Sequence, residues 1–327
     1  MKILGIETSC DETAAAIVED GTKLISNVVA SSQELHAKYG GIIPENAARE
    51  QVKSIIPVIK EAMVTDFDAI AVTYGPGLIG SLLIGVETAK TLSYVWNKPL
   101  IPVNHLVGHI YANWLGGKIP EFPALVLLVS GGHSELVLMK SHGEFTWLGG
   151  TRDDAAGECF DKCARILNLG YPGGPAIEKN AVPGGNIKLP RPMINESGFD
   201  FSFSGLKTAL ANSNKENPNQ LAYELQEAVT DVLIKKTLLA AKEFNVRSIL
   251  LAGGVAANKR LREKMKQEIA RPAPGLAGEN NKLVLELYVP EFKLCTDNAA
   301  YIASAAFFNY HPKSWRELDA DPSVDIS

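Results

Sequence analysis

The apolar positions of the chain fall into short runs broken by small and polar residues. Residues 2–7 (KILGIE) form one run, TSCDET interrupts it, and AAAIVED carries a second run to Gly21. Two such runs flanking a polar turn predict a strand, a turn and a returning strand. The plan recurs from residue 124, where ALVLLV leads into SGGHS and ELVLMK follows. Two hairpins of one build, spaced along the chain, predict a duplicated α/β lobe in place of one continuous sheet.

Between and after the hairpins the period becomes helical. In PENAAREQVKSIIPVIKEAM, opened by Pro44, residues Val52, Ile56, Ile59 and Met63 recur at helical spacing, and Pro57 is expected to kink or interrupt the helix. DAIAVTYGPGLIGSLLIGVETAKTLSYVW reads as a strand, a Gly-Pro-Gly turn and a long helix, giving the first lobe a β-β-α-β-α order. In the second half AAGECFDKCARILNL is a helix stopped by Gly170, and GYPGGPAIEKNA is a glycine loop entering another. Leu221, Leu225, Val229 and Val232 mark one stripe of a strongly periodic helix. RSILLAGGVAANKRLREKM gives a buried strand, a Gly-Gly turn and a basic helix. A Pro/Gly/Asn-rich loop at 270–282 precedes a strand in LVLELYV and a closing helix in CTDNAAYIASAAFF. The tail from His311 lacks periodicity and is expected to be poorly ordered or loosely packed. The expected division is a first lobe of residues 1–117 completed by a closing helix at 297–310, a second lobe of 118–296 with helical insertions, and a tail at 311–327.

Composition narrows the class without choosing a function. The 327 residues are 46% apolar and 21% charged, close to a globular average, and the net charge of −5 argues against non-specific coating of nucleic acid. Glu7, Asp11 and Glu12 arrive too early for a signal peptide, and the longest apolar stretches fall short of a membrane span, so a cytoplasmic protein without membrane contact is expected. Four cysteines form no disulfide framework; Cys159 and Cys163, four apart, read as small buried residues of a helix before they read as metal ligands.

The chemistry concentrates in glycine turns and one histidine pair. Turns centred on Ser130, Gly131 and Gly132, on Gly173 and Gly174, and on Gly253, Gly254 and Asn258 each join an apolar run to a helix or hairpin. Glycine lets backbone approach a ligand and aim N–H groups at an anion, so three such turns point to a phosphate-bearing ligand. The chain has neither a G-x-x-x-x-G-K-[ST] run nor a G-x-G-x-x-G after its first strand. His105 and His109, in NHLVGHIYANW, lie one helical turn apart and project from one face, where they could share an ion or stand as two surface histidines. Leu106 occupies the place of the general-base Glu in H-E-x-x-H, which disfavours a zinc peptidase.

Duplicated hairpin lobes clamping a nucleotide are the plan of the actin, sugar kinase and Hsp70 superfamily (RNase H-like), which this layout resembles. GIETSCDETAAAIV, GGIIPENAARE, NHLVGH, LLVSGGHSELV, GECFDKCARILNLGYPGGPAIE, FDFSFSGLKTA, LAGGVAANKRLR and LCTDNAAYIA resemble, more closely, the bacterial tRNA threonylcarbamoyladenosine transferase family (TsaD), formerly labelled O-sialoglycoprotein endopeptidase. The blocks cover residues 1 to about 310 in order. The resemblance implies two actin-like lobes with a nucleotide cleft between them, and transfer of a threonylcarbamoyl group from threonylcarbamoyl-adenylate to the exocyclic amine of the adenosine at tRNA position 37, beside anticodons reading codons that begin with A.

Carried across, the resemblance makes His105, His109 and Asp297 ligands of one divalent metal, with Fe(II) favoured and Zn(II) the alternative. Leu128, Val129, Ser130, Gly131 and Gly132 would line the adenylate, Asp161 would take the ribose hydroxyls, Gly174 and Glu178 would border the pocket, and Asn258 would meet the nucleotide. Asp11 and Glu12, at the first hairpin turn, are candidates for positioning or deprotonating the amine, against a solvated turn as the plain alternative. Implied partners are tRNA, a shorter paralogue of the same fold (TsaB) and a small P-loop ATPase (TsaE). Lys207 and the helix bearing Lys259, Arg260, Arg262, Lys264 and Lys266 are candidate phosphate contacts, with a solvated face as the alternative for most. Gln51 stands where the family pattern commonly has His, and the 270–282 loop looks longer than usual; both bear on partner contacts. A small-molecule kinase of the same superfold, a metallopeptidase and a non-catalytic scaffold are the competing readings.

Overall fold

A computed structural model describes residues 1–326 apart from 33–35, 37–38, 40, 185, 214–216 and 272–284. The chain divides into two units, one of residues 1–119 with 290–327 and one of residues 120–289. The loop expected at 270–282 lies, from residue 272 onward, outside the described residues.

The first unit begins with β1 (Lys2–Glu7), β2 (Glu12–Glu19) and β3 (Lys23–Ser31), continues through α1 (Pro44–Ala62), β4 (Ala69–Gly75), α2 (Ile79–Trp96) and β5 (Leu100–Asn104), and reaches α3 (His105–Tyr111). Its sheet runs β3-β2-β1-β4-β5, antiparallel among the first three strands and parallel from β1 through β4 to β5. The three parallel strands therefore end on one side, where Glu7, Gly75 and Asn104 sit, the side on which open α/β sheets place their ligands. Leu4, Ile6, Ile17, Ile70 and Val72 of the sheet pack with Ile55, Val58 and Ile59 of α1 and Val86 of α2 in one core.

Of the apolar stripe expected on α1, Ile59 alone is buried. Gln51, Ile55, Val58, Ile59 and Ala62 are buried, while Val52, Ile56 and Met63 are exposed. Gln51 accounts for the rotation: its Nε2 donates toward the carbonyls of Thr8, Cys10 and Glu12 at 3.3, 3.1 and 3.0 Å, which seats an amide where an apolar side chain was expected. Nor does Pro57 interrupt the helix, which runs unbroken to Ala62. Both Pro57 and Lys53 stand on the solvent side, where water can satisfy the carbonyl that the proline ring deprives of a partner.

The second unit repeats the sheet. β6 (Ala124–Val129), β7 (Ser134–Ser141), β8 (Glu144–Gly150), β9 (Ser248–Ala252) and β10 (Glu286–Tyr288) run in the order β10-β9-β6-β7-β8, antiparallel through β6, β7 and β8 and parallel through β6, β9 and β10. The order mirrors that of the first unit strand for strand, as the paired hairpins in the sequence predict. Its helices are α4 (Ala156–Ile166), α5 (Gly173–Asn180), α6 (Ser204–Ala211), α7 (Pro218–Glu243) and α8 (Lys259–Ala270). Leu221, Leu225, Val229 and Val232 of α7 are fully buried, as their spacing predicts. The charged face of α7 is tied to α8: Glu227 accepts from Arg260 at 2.5 and 3.0 Å and from Lys264 at 2.9 Å, and Lys264 also pairs with Asp231.

The chain then returns to the first unit as α9 (Ala300–Phe308), which lies against β1. Contact there is backbone to backbone at Gly5, where an added Cβ would meet the Ala299 carbonyl oxygen at 2.3 Å. The tail, expected to pack loosely, is instead stitched to the sheet. Lys313 N donates to Leu100 O and Asp321 N to Tyr74 O, each at 2.8 Å, Trp315 meets Tyr94 at 5.1 Å between ring centroids, and Leu318 is buried in the core.

Candidate metal centre

The histidine pair sits where β5 turns into α3. Asn104 caps the helix, its Oδ1 accepting from Leu106 N at 2.8 Å and Val107 N at 3.3 Å, so His105 is the first helical residue and His109 stands one turn on. α3 approaches α9 closely because position 108 is glycine; an added Cβ would lie 2.7 Å from both Tyr301 Cδ2 and Ile302 Cδ1. That closeness brings in Asp297, just before α9. Its Oδ1 lies 3.3 Å from His109 Nε2, 3.7 Å from His105 Nε2 and 3.4 Å from the Tyr301 hydroxyl. One donor atom from each of His105, His109 and Asp297 falls within 4.8 Å of the other two, the one such group among the described residues.

A buried carboxylate, not anticipated from the sequence, orients this group. Glu7, fully buried at the end of β1, has Oε2 3.1 Å from His105 Nδ1, accepts from Thr73 Oγ1 at 2.6 Å and, through Oε1, from Ser9 N at 2.5 Å. Ser9 Oγ also lies 3.1 Å from His105 Nδ1. With Nδ1 engaged, His105 turns Nε2 toward Asp297, the carboxylate–imidazole arrangement that fixes the tautomer of metal-ligating histidines. The only sequence signal is an acid closing an apolar strand. Tyr301, its ring 4.7 Å from that of His109, completes the wall.

The electrostatics suit a cation. Burial opposes a proton on His105, but Glu7 and Asp297 outweigh it and hold that imidazole up at about 9. Burial lowers His109, aided by the charge of His105. Burial would raise Asp297, yet His105 and then His109 keep it at about 2. Asp297 thus stays ionised beside the two imidazoles, and two imidazole nitrogens with one carboxylate oxygen are a donor set suited to Fe(II) or Zn(II). His109 Nδ1 is buried without a hydrogen-bond partner.

The hairpin acids lie on the same unit. Asp11 is in the β1–β2 turn, where its backbone oxygen accepts from Ser32, and Glu12 opens β2 with Oε1 3.1 Å from Ser31 Oγ. Burial, then the Asp297 charge and a hydrogen bond with Asp11, push Glu12 well above the usual carboxylate range and favour its protonated form.

The other candidates all fall on the second unit and form a connected series. Leu128 and Val129 are buried, so only their backbone can reach a ligand. A Cβ at Gly253 would lie 2.4 Å from Val129 O, and one at Gly157, in the first turn of α4, 2.5 Å from Ser130 O. Gly131 and Gly132 are exposed with open space above them. On α4, Asp161 Oδ1 accepts from Gly173 N at 2.6 Å, and on α5, Glu178 Oε2 accepts from Lys259 N at 2.9 Å. Gly174 faces open space. Asn258 is more engaged than expected: its Oδ1 caps α8 through Leu261 N at 2.9 Å and its Nδ2 donates to Gln226 at 3.0 Å. A cavity of about 500 Å³ beside this series is lined by Pro175, Glu178, Tyr223, Gln226, Lys259 and Arg260, among others. Of the basic helix, Arg260 and Lys264 are taken up by α7 and Arg262 Nε donates to Ala256 O at 2.6 Å, which leaves Lys259 and Lys266 on the exposed face.

Residues 23–304 match the family model TsaD, tRNA N6-adenosine threonylcarbamoyltransferase. The chain is 51% identical over 340 residues to the tRNA N6-adenosine threonylcarbamoyltransferase of Dehalococcoides mccartyi, covering all of both chains. It is 52% identical over 344 residues to that of Bacillus subtilis, covering all of this chain and 96% of the relative. Among solved structures, component A of the Acidaminococcus fermentans (R)-2-hydroxyglutaryl-CoA dehydratase superposes with a TM-score of 0.55 at 14% identity, over 94% of this chain and 98% of the other. Full-length HypF superposes with a TM-score of 0.59 at 12% identity over 96% of this chain and 47% of that one. These two likenesses establish the fold alone.

Proposed function

The chain belongs to the tRNA N6-adenosine threonylcarbamoyltransferase family and forms threonylcarbamoyladenosine in tRNA; from that premise we propose that the first unit holds a divalent ion and the second the activated donor. The observation that carries the reading is the His105–His109–Asp297 group, three donor atoms within 4.8 Å, with Glu7 holding the first imidazole in the ligating tautomer. His105, His109 and Asp297 would hold the ion, with Fe(II) favoured. When bound, the ion would supply Lewis-acid chemistry.

The donor is threonylcarbamoyl-adenylate, a mixed anhydride. The exocyclic nitrogen of adenosine 37 bonds to the carbamoyl carbon, the bond from that carbon to the phosphate oxygen breaks, AMP leaves and one proton is released. Gly131 and Gly132, exposed with open space above them, would offer backbone N–H groups to the phosphate, with Ser130 beside them; Asp161 takes the ribose hydroxyls, and Gly174, Glu178 and Asn258 border the nucleotide. The Leu128 and Val129 contributions are backbone ones. Burial favours the protonated form of Glu12, so we assign the proton acceptor to Asp11, with Glu12 positioning it by hydrogen bond. The nitrogen is weakly basic, so activation of the acyl group carries most of the rate.

The substrates are tRNAs reading codons that begin with A, and the working assembly includes TsaB and TsaE in the cytoplasm. Exposed Val52 and Ile56 on α1 and Ile79 and Leu83 on α2 support a protein partner for the first unit. Among the described residues no helix is long and apolar enough to cross a membrane. Leu106, buried where a zinc peptidase carries its general base, supports transfer over proteolysis.

The test supplies threonine, bicarbonate, ATP, the adenylate-forming enzyme and the partners, then analyses tRNA nucleosides. Threonylcarbamoyladenosine should form with the wild type and be lost with His109→Ala and Asp297→Ala; activity in those variants refutes the metal assignment.

A further inference from the structure

Asn104 uses both ends of its amide. While Oδ1 caps α3, Nδ2 donates to the backbone oxygen of Asp325 at 2.9 Å. The segment that delivers that oxygen is held along the carboxyl ends of the parallel strands. Asp321 N bonds Tyr74 O at 2.8 Å and Gly77 N bonds Pro322 O at 3.4 Å. Gly75 leaves the room: an added Cβ would lie 1.7 Å from Asp321 O and 2.9 Å from Val324 Cγ1. Within the segment, Ser323 N and Oγ both donate to Asp321 Oδ1 at 3.0 Å, and Ile326 is 8% exposed.

We infer that residues 321–326 form a strap that positions the metal-bearing helix by fixing the Asn104 amide. The inference rests on the metal reading above and adds to it a positioning residue, Asn104, and a positioning segment. An Asn side chain at a helix start can rotate about its last torsion and lose its cap; a second hydrogen bond to Nδ2 removes that freedom. His105 follows Asn104 directly, so the direction of the cap sets where its imidazole leaves the backbone, and His109 moves with the same short helix. Leu318, upstream of the strap, belongs to the core, so the strap can be removed while the core anchor stays.

The test uses zinc(II) as probe, titrated into metal-free protein against a chromophoric chelator, in the wild type, Asn104→Ser, a chain ending at Pro322, and the two combined. Serine keeps an oxygen for the cap and lacks the N–H that meets Asp325. Each single change is expected to raise the dissociation constant about tenfold, the lower end of what disturbing the orientation of a ligating histidine costs. The combination should cost no more than either alone, because both break one bond. Thermal unfolding of the metal-free proteins should stay close to wild type; if the shortened chain fails to fold, Asn104→Ser decides by itself. Wild-type affinity in Asn104→Ser, or additive losses in the combination, overturns the strap. A wild type that binds zinc no better than His109→Ala overturns the metal reading and the strap with it.

Discussion

Glu7 Oε2 stands 3.1 Å from His105 Nδ1, at the end of a strand distant in sequence from the helix it serves. The carboxylate accepts from three donors, and a glutamine there would turn an N–H₂ toward Ser9 N or Thr73 Oγ1. Glu7→Gln is expected to weaken metal binding about 10–100-fold with circular dichroism unchanged, measured by chelator competition. Unchanged affinity would mean that His105 needs no orienting partner.

Glu12 is the acid most displaced from ordinary behaviour in the hairpin turn. Burial is the largest cause, and it persists when a cation offsets the charge of Asp297. A carboxyl that favours its protonated form tolerates a neutral isostere, so Glu12→Gln is expected to keep near-wild-type transfer. Loss of a working base costs about 10²–10⁴-fold, the range expected for Asp11→Asn if it accepts the proton. Single-turnover rates of the two variants at one pH decide; a collapse in Glu12→Gln would place the base at Glu12.

Glu227 contributes acid sensitivity to the second unit. Burial would raise it, but hydrogen bonds from Arg260 and Lys264 outweigh that and hold it below its ordinary 4.5. Its contribution to stability is therefore present above 4.5 and lost as pH falls through the folded value. Urea midpoints of the wild type should drop on acidification through that window, whereas Glu227→Gln should lose about 2 kcal/mol at pH 7 and respond less to acid. Parallel pH profiles would show that the carboxylate carries no such load.

Two glycines separate helix propensity from packing. Gly108→Ala forces a methyl to within 2.7 Å of the Tyr301 ring, so it is expected to cost about 1–3 kcal/mol and to weaken metal binding by prising α3 from α9. Gly80→Ala on α2 meets nothing nearer than Ala48 Cβ at 3.5 Å and should stabilise by about 0.5–1 kcal/mol. Thermal melts of both variants check this; equal and opposite outcomes are not expected if propensity alone governs.

The parts legible in the sequence were those written in side-chain spacing. The i, i+4 histidines, the stripe of α7 and the matching hairpins each announce themselves within one element. Glu7 does not, because only the parallel ladder from β1 through β4 to β5 carries its carboxylate to His105. The buried face of α1 is hidden for a related reason: Gln51 is buried to serve three carbonyls of a distant turn, and polar burial has no periodic signature. The tail carries no periodic signal because its ties are backbone bonds at Lys313 and Asp321 and two isolated side chains, Trp315 and Leu318.

The carboxyl-terminal return of the chain has a biosynthetic consequence. β1 receives its α9 cover, and the two histidines their aspartate, only after the entire second unit has been translated. A ribosome therefore carries a finished latter half alongside an opening half whose sheet is still bare on one side. Chains terminated before α9 would expose that surface to chaperones and proteases.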